Sequence, residues 1–121
     1  MTRHRAVLAV LVLAAVAGAW AAQEVPEGVR ALVGGKCAGC HKGRMPPAGL
    51  SLEPAGLAAV VAAPSRQAPG AKIVEPGAPE ASYLMRKVRR EAGISGRPMP
   101  PGRALTAEEI GVLEAWIAGL K

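Results

Sequence analysis

Cys37, Ala38, Gly39, Cys40 and His41 form a C-x-x-C-H run, the stretch of this 121-residue chain whose residue types and spacing spell out a chemistry. Two thiols three positions apart, followed at once by an imidazole, read as the attachment site of a c-type haem. Each thiol adds to one vinyl group of the porphyrin, so both sulfurs must face the ring edge together. His41, the next residue, then lies under the iron and supplies the proximal nitrogen. On this reading Cys37 and Cys40 carry the thioethers, His41 is the proximal iron ligand, and the cofactor is one covalently attached haem c.

Three plainer readings of the same residues compete. A redox dithiol of thioredoxin type wants a βαβ setting, and no alternation of strands and helices is visible. A closed zinc site wants four ligands, and Cys37, Cys40 and His41 are the soft ligands left once the N-terminal segment is removed. A structural disulfide leaves the placement of His41 unexplained.

A haem iron held by His41 has a sixth position to fill. His4 lies in the N-terminal segment, so the candidates are Met45, Met85 and Met99, a lysine, or nothing. Met45 follows His41 by four residues, too few to reach round a ring comfortably. Met85 sits in a predicted helix, where methionine usually fills gaps in a core. Met99 lies in Arg97-Pro98-Met99-Pro100-Pro101, where prolines restrict the backbone on both sides. A rigid loop of that kind presents a thioether to a fixed point at little entropic cost, which makes Met99 the expected distal iron ligand.

Residues that do chemistry need elements to hold them. Residues 1–22 read as a signal peptide: Arg3, His4 and Arg5 form a positive start, an apolar run follows, and Ala19-Trp20-Ala21 supplies small residues for cleavage. An uncleaved anchor is the alternative, although the run from Ala6 to Ala22 falls short of the roughly 20 residues of a spanning helix. The remaining stretch, 23–121, is long enough for one small domain. It has no Phe, and its aromatic residues are Tyr83 and Trp116. Small domains bury a low fraction of their surface and often need a staple, which a covalent haem would provide. Without Arg3 and Arg5 the chain keeps 13 basic against 9 acidic side chains. That balance favours steered encounter with acidic partners. It speaks little for nucleic acid, because no aromatic platforms stand among the basic residues.

Local signals then place helices. Val25 to Lys36 reads as a short helix leading into the motif, with Pro26 in its first turn and Val29, Leu32 and Val33 on one face. Gly34-Gly35, late in that helix, means either close approach of a neighbour or fraying. Lys42 to Gly77 is rich in Pro, Gly and Ala and is expected to wrap the haem edge, with a short helix from Pro54 to Ala63 inside it. Pro79 to Ala92 reads as a helix with Ala81, Leu84, Val88 and Ala92 as its stripe and Gly93 as its stop. Its Arg86, Lys87, Arg89 and Arg90 form either a solvated face or a docking surface, or supply an arginine that pairs with a haem propionate. The last helix opens on the capping box Thr106-Ala107-Glu108-Glu109, and Ile110, Leu113, Trp116, Ile117 and Leu120 repeat at helical spacing.

Taken in order, these motifs resemble the small single-haem class I cytochromes c, and in particular the Planctomycete-type cytochrome c domain. The residues that carry the resemblance are Cys37 to His41, Gly49-Leu50-Ser51-Leu52, Pro76-Gly77-Ala78-Pro79-Glu80-Ala81-Ser82, Met99-Pro100-Pro101, and Leu105-Thr106-Ala107-Glu108-Glu109-Ile110 with Trp116-Ile117. Ala78 stands where the family habit is a capping Asp, and Met45-Pro46-Pro47 is a second Met-Pro-Pro. The resemblance implies an all-α cytochrome c fold, three to four short helices wrapped around one covalently attached haem. It also implies a periplasmic or otherwise exported protein, since this haem is attached outside the bacterial cytoplasm.

The expected function is one-electron transfer between redox proteins with acidic docking surfaces, with no catalytic residues. Contact with a membrane is expected only if the N-terminal segment is retained. The alternatives are a haem with an open sixth site, for small-ligand binding or peroxide chemistry, and a haem subunit docked permanently to a dehydrogenase.

Overall fold

The computed structural model describes residues 24–121, so the proposed signal peptide lies outside the described residues. The fold is all-α: three α-helices, three short 3-10 turns, and no sheet among the described residues. The helices are α1 (Glu27–Lys36), α2 (Tyr83–Val88) and α3 (Ala107–Gly119). The 3-10 turns are Pro47–Gly49, Pro54–Val60 and Pro79–Ala81. No helix among the described residues is long and apolar enough to cross a membrane.

Helix α1 begins one residue later than its first-turn proline signal implies. Pro26 is its N-cap, and the Pro26 carbonyl accepts from the amides of Val29 and Arg30 at 3.0 and 3.1 Å. Glu27 in the first turn and Lys36 in the last complement the helix dipole. Val29 and Val33, four residues apart, are buried on one face. The double glycine at its end divides in purpose. A Cβ on Gly34 would stand 3.3 Å from Pro54 Cγ, so Gly34 permits close approach of the Pro54–Val60 turn, whereas Gly35 faces open space.

Helix α3 is the longest element and packs on α1, α2 and the Pro79–Ala81 turn. Half of its capping box forms. Thr106 Oγ1 accepts from the Glu109 amide at 3.1 Å, while Glu109 Oε2 is buried without a hydrogen-bond partner. Leu113, Trp116 and Ile117 are buried, and with Val29 and Val33 they belong to one hydrophobic core.

The expected long helix from Pro79 to Ala92 is instead a turn followed by six residues of α2. Ser82 is the reason. It is fully buried in extended backbone, its hydroxyl donates to Ala78 O at 2.9 Å, and it accepts from the Glu75 amide at 2.8 Å. The side chain thus serves the Glu75–Ala78 turn rather than continuing a helix. At the far end Arg90 takes a left-handed φ of 56°, three residues before the expected Gly93 stop. Ala81 and Ala92, assigned to the apolar stripe, are exposed, while Leu84 and Val88 are buried. The chain between Val61 and Val74 doubles back on itself, and the amides of Tyr83 and Leu84 donate to Lys72 O and Ile73 O, both at 3.0 Å.

Candidate functional site

The end of α1, the doubled-back segment, one side of α2 and the Met99 loop enclose a largely apolar cleft of about 380 Å³. Cys37, Cys40, His41 and Met99 all line it. Four residues singled out by type and spacing, spread over 63 positions of sequence (Cys37 to Met99), therefore meet at one place.

The C-x-x-C-H run leaves α1 as a continuation of its last turn. The amides of Cys37 and Ala38 both donate to Val33 O at 2.9 Å, and His41 N donates to Cys37 O at 3.0 Å. His41 is buried, and its Nδ1 lies 2.9 Å from Leu50 O. A carbonyl only accepts, so Nδ1 carries a proton, and in the neutral imidazole Nε2 keeps its lone pair. The His41 carbonyl accepts from Leu52 N at 2.8 Å, which fixes the backbone on both sides of the ring.

The two thiols differ. No disulfide joins them: Cys37 is half-buried and Cys40 exposed. Burial pushes the Cys37 thiol up from 9.0 to about 11. A thiol so far from ionising is a poor nucleophile, so Cys37 is not suited to be the attacking member of a redox dithiol.

The three candidate methionines occupy different places. Met45 is 94 % exposed, and Met85 is fully buried in the hydrophobic core. Only Met99 lies along the cleft. Its backbone amide donates to Lys87 O at 3.1 Å. Arg90 braces the following residues, its Nη2 donating to Pro100 O at 2.7 Å and Gly102 O at 2.8 Å. Lys87 Nζ donates to Ser95 O at 2.6 Å, and the Tyr83 hydroxyl accepts from Ser95 N at 2.8 Å. Three side chains of α2 and its exit therefore hold the loop that carries Met99.

Sequence reasoning missed this brace. Of the four basic residues read as a solvated face or a docking surface, Lys87 is buried and Arg89 pairs with Glu114 at 2.6 Å. Arg86 lies over the Tyr83 ring, and Arg90 serves the loop. A signal was available for Lys87, which falls between Leu84 and Val88 at the i+3 position of the buried stripe.

Compared with known proteins, the chain matches no family model, no curated protein and no solved structure. The expected cofactor is corrected. Among the described residues no group of three or more His, Cys, Asp and Glu side chains could hold a metal ion, which argues against the covalently attached haem c read from the motif. Cys37, Cys40, His41 and Met99 instead border an apolar cleft into which no carboxylate projects as a lining group, and His41 Nδ1 is committed to a backbone carbonyl.

Proposed function

We propose that the protein is an exported one-electron carrier between redox proteins, with the cleft as the seat of its redox-active group. The observation that carries this reading is the convergence of Cys37, Cys40, His41 and Met99 on one cleft. Arg3, Arg5 and the apolar run after them support export. The role carried over from the resemblance is one-electron exchange, and the haem c expectation is not part of it.

A redox-active group in the cleft would supply the electron couple. The chain's own part is to shape its surroundings. Leu50, Leu52, Ile73, Leu84 and Val88 keep water away, and an apolar shell is a lever on reduction potential. His41 keeps one ring nitrogen as an acceptor because the other is spent on Leu50 O. The α2 brace fixes the backbone of the loop that carries Met99. Lys36, Lys42, Arg44, Arg97 and Arg103 are all exposed, and in this reading they orient acidic partners.

The test is a spectroscopic and potentiometric titration of the full chain purified from an exporting host. A reversible one-electron couple whose midpoint moves in Met99→Ala is the expected result. A protein that exchanges no electrons at any potential accessible in water overturns the reading.

A further inference from the structure

The described residues hold three methionines, and the fold treats each thioether differently. Met85 is fully buried in the hydrophobic core, Met99 is half-buried along the cleft, and Met45 is 94 % exposed. Among the described residues the other exposed large hydrophobic side chain is Val112, at 40 %. Met45 also lies outside the hydrophobic core and outside the residues that line the cleft.

The backbone holds it there. Leu52 N donates to His41 O at 2.8 Å and closes the base of the loop between them. Within that loop Gly43 takes a left-handed φ of 78°, and Pro46 follows Met45 in extended backbone. The Gly49 and Leu50 amides then donate to Pro46 O and Pro47 O at 2.9 and 3.0 Å. Met45 therefore stands on a hydrogen-bonded loop, between a glycine turn and a proline. Lys42, Gly43 and Arg44 are exposed as well, so water and small solutes reach the sulfur without any opening of the fold.

A thioether so placed has a chemistry of its own. Its sulfur is polarizable and gives up two electrons to a peroxide, and the sulfoxide that forms is polar where the thioether was apolar. In a core that change costs packing and burial, as it would at Met85. Met45 has neither to lose.

We propose that Met45 is a reversible two-electron oxidation site, oxidised by a peroxide and restored by a thiol-dependent sulfoxide reductase. A sulfur lone pair attacks one oxygen of hydrogen peroxide, the O–O bond breaks and an S–O bond forms. The departing hydroxide takes the proton of the transferred oxygen and leaves as water. Sulfur loses two electrons and the peroxide gains them. In the return step two thiols become one disulfide, and the oxygen leaves as water. This site goes beyond the electron-carrier reading and does not depend on it, because it lies outside the cleft.

The experiment treats the full chain with dilute hydrogen peroxide and follows oxygen uptake at each methionine by peptide mapping, which counts oxygen on Cys37 and Cys40 separately. Met45 should be oxidised at least about tenfold faster than Met99, with Met85 slowest. Protein oxidised at Met45 should keep the urea unfolding midpoint of the untreated chain. Methionine sulfoxide reductases for both sulfoxide epimers, supplied with dithiothreitol, should remove the oxygen under native conditions. Met45→Leu should abolish the fast phase and leave the slow ones unchanged. Equal rates at Met45 and Met99, or Met99 first, overturn the proposal. So does a lowered midpoint in the protein oxidised at Met45, or a sulfoxide that the reductases remove only after the chain is denatured.

Discussion

The two halves of the molecule are held together by different physics. Where α1 meets α3, regular helices bury Val29, Val33, Leu113, Trp116 and Ile117, and stability comes from removing apolar area from water. Around the cleft, short turns and loops are joined by particular donors and acceptors: Ser82 to the Glu75–Ala78 turn, Arg90 to Pro100 and Gly102, and Lys87 to Ser95. The helical half needs correct volume and tolerates many residues that supply it. The cleft half needs specific atoms in specific places, because a buried donor or acceptor left unpaired costs its full desolvation.

That contrast can be broken most forcefully in the helical half. Ile117 is fully buried, and Ile117→Ala should lower unfolding free energy by about 3 kcal/mol in a urea titration, through lost burial and the cavity left behind. Ile117→Val, which keeps most of the volume, should cost about 1 kcal/mol. If the two variants were equally destabilised, volume would not be what matters there.

A smaller effect belongs to the cleft half. Ser82→Ala changes almost no volume but strips the Glu75 amide of its acceptor and leaves the Ala78 carbonyl with the Ala81 amide alone, and should cost about 2 kcal/mol. Hydrogen exchange should show faster protection loss at Glu75 and in the Pro79–Ala81 turn than in α3. A change spread evenly over the molecule would erase the distinction between the halves.

Smaller still is Thr106→Ala, which removes the single side-chain cap of α3 and should cost about 1 kcal/mol by the same urea measurement. Glu109→Ala should add little, since its carboxylate does not return to the cap in the structure.

The last comparison separates the two cysteines by pH. The Cys37 thiol ionises near 9.0 when exposed and only at about 11 in the fold, so the folded state is favoured below pH 9 and that advantage is lost as pH rises through 11. Lys87 works in the opposite direction. Its lowered value means that stability rises as pH approaches 10.5, so Cys37→Ala should convert a decline over this window into a flat or rising profile. At pH 8, alkylation followed by mass spectrometry should label exposed Cys40 before Cys37.

Some parts of the molecule could be read directly from residue order. Helix α3 follows from its Thr106 cap and its apolar repeat, and α1 from Val29 and Val33 four residues apart, because such signals act within a turn or two of the chain. The residues that border the cleft were also legible by type: two thiols and an imidazole at close spacing, and one methionine fixed between prolines. The cofactor inferred from them was not, since a short motif carries no information about which ligand groups the fold gathers around it.

Other features emerge only when distant segments meet. The helix expected from Pro79 to Ala92 is broken by Ser82, whose hydroxyl serves a turn that begins at Glu75. Met45 on the surface, Met85 in the core and Met99 along the cleft occupy three different places, which spacing cannot decide. Lys87 has the composition of a surface residue and becomes a buried cation because Gln67 and Ser95 arrive from elsewhere in the chain. Caps and helical periods are local bargains between neighbouring residues. Burial, pairing and the shape of the cleft depend on which segments pack against one another, and that is a property of the folded chain as a whole.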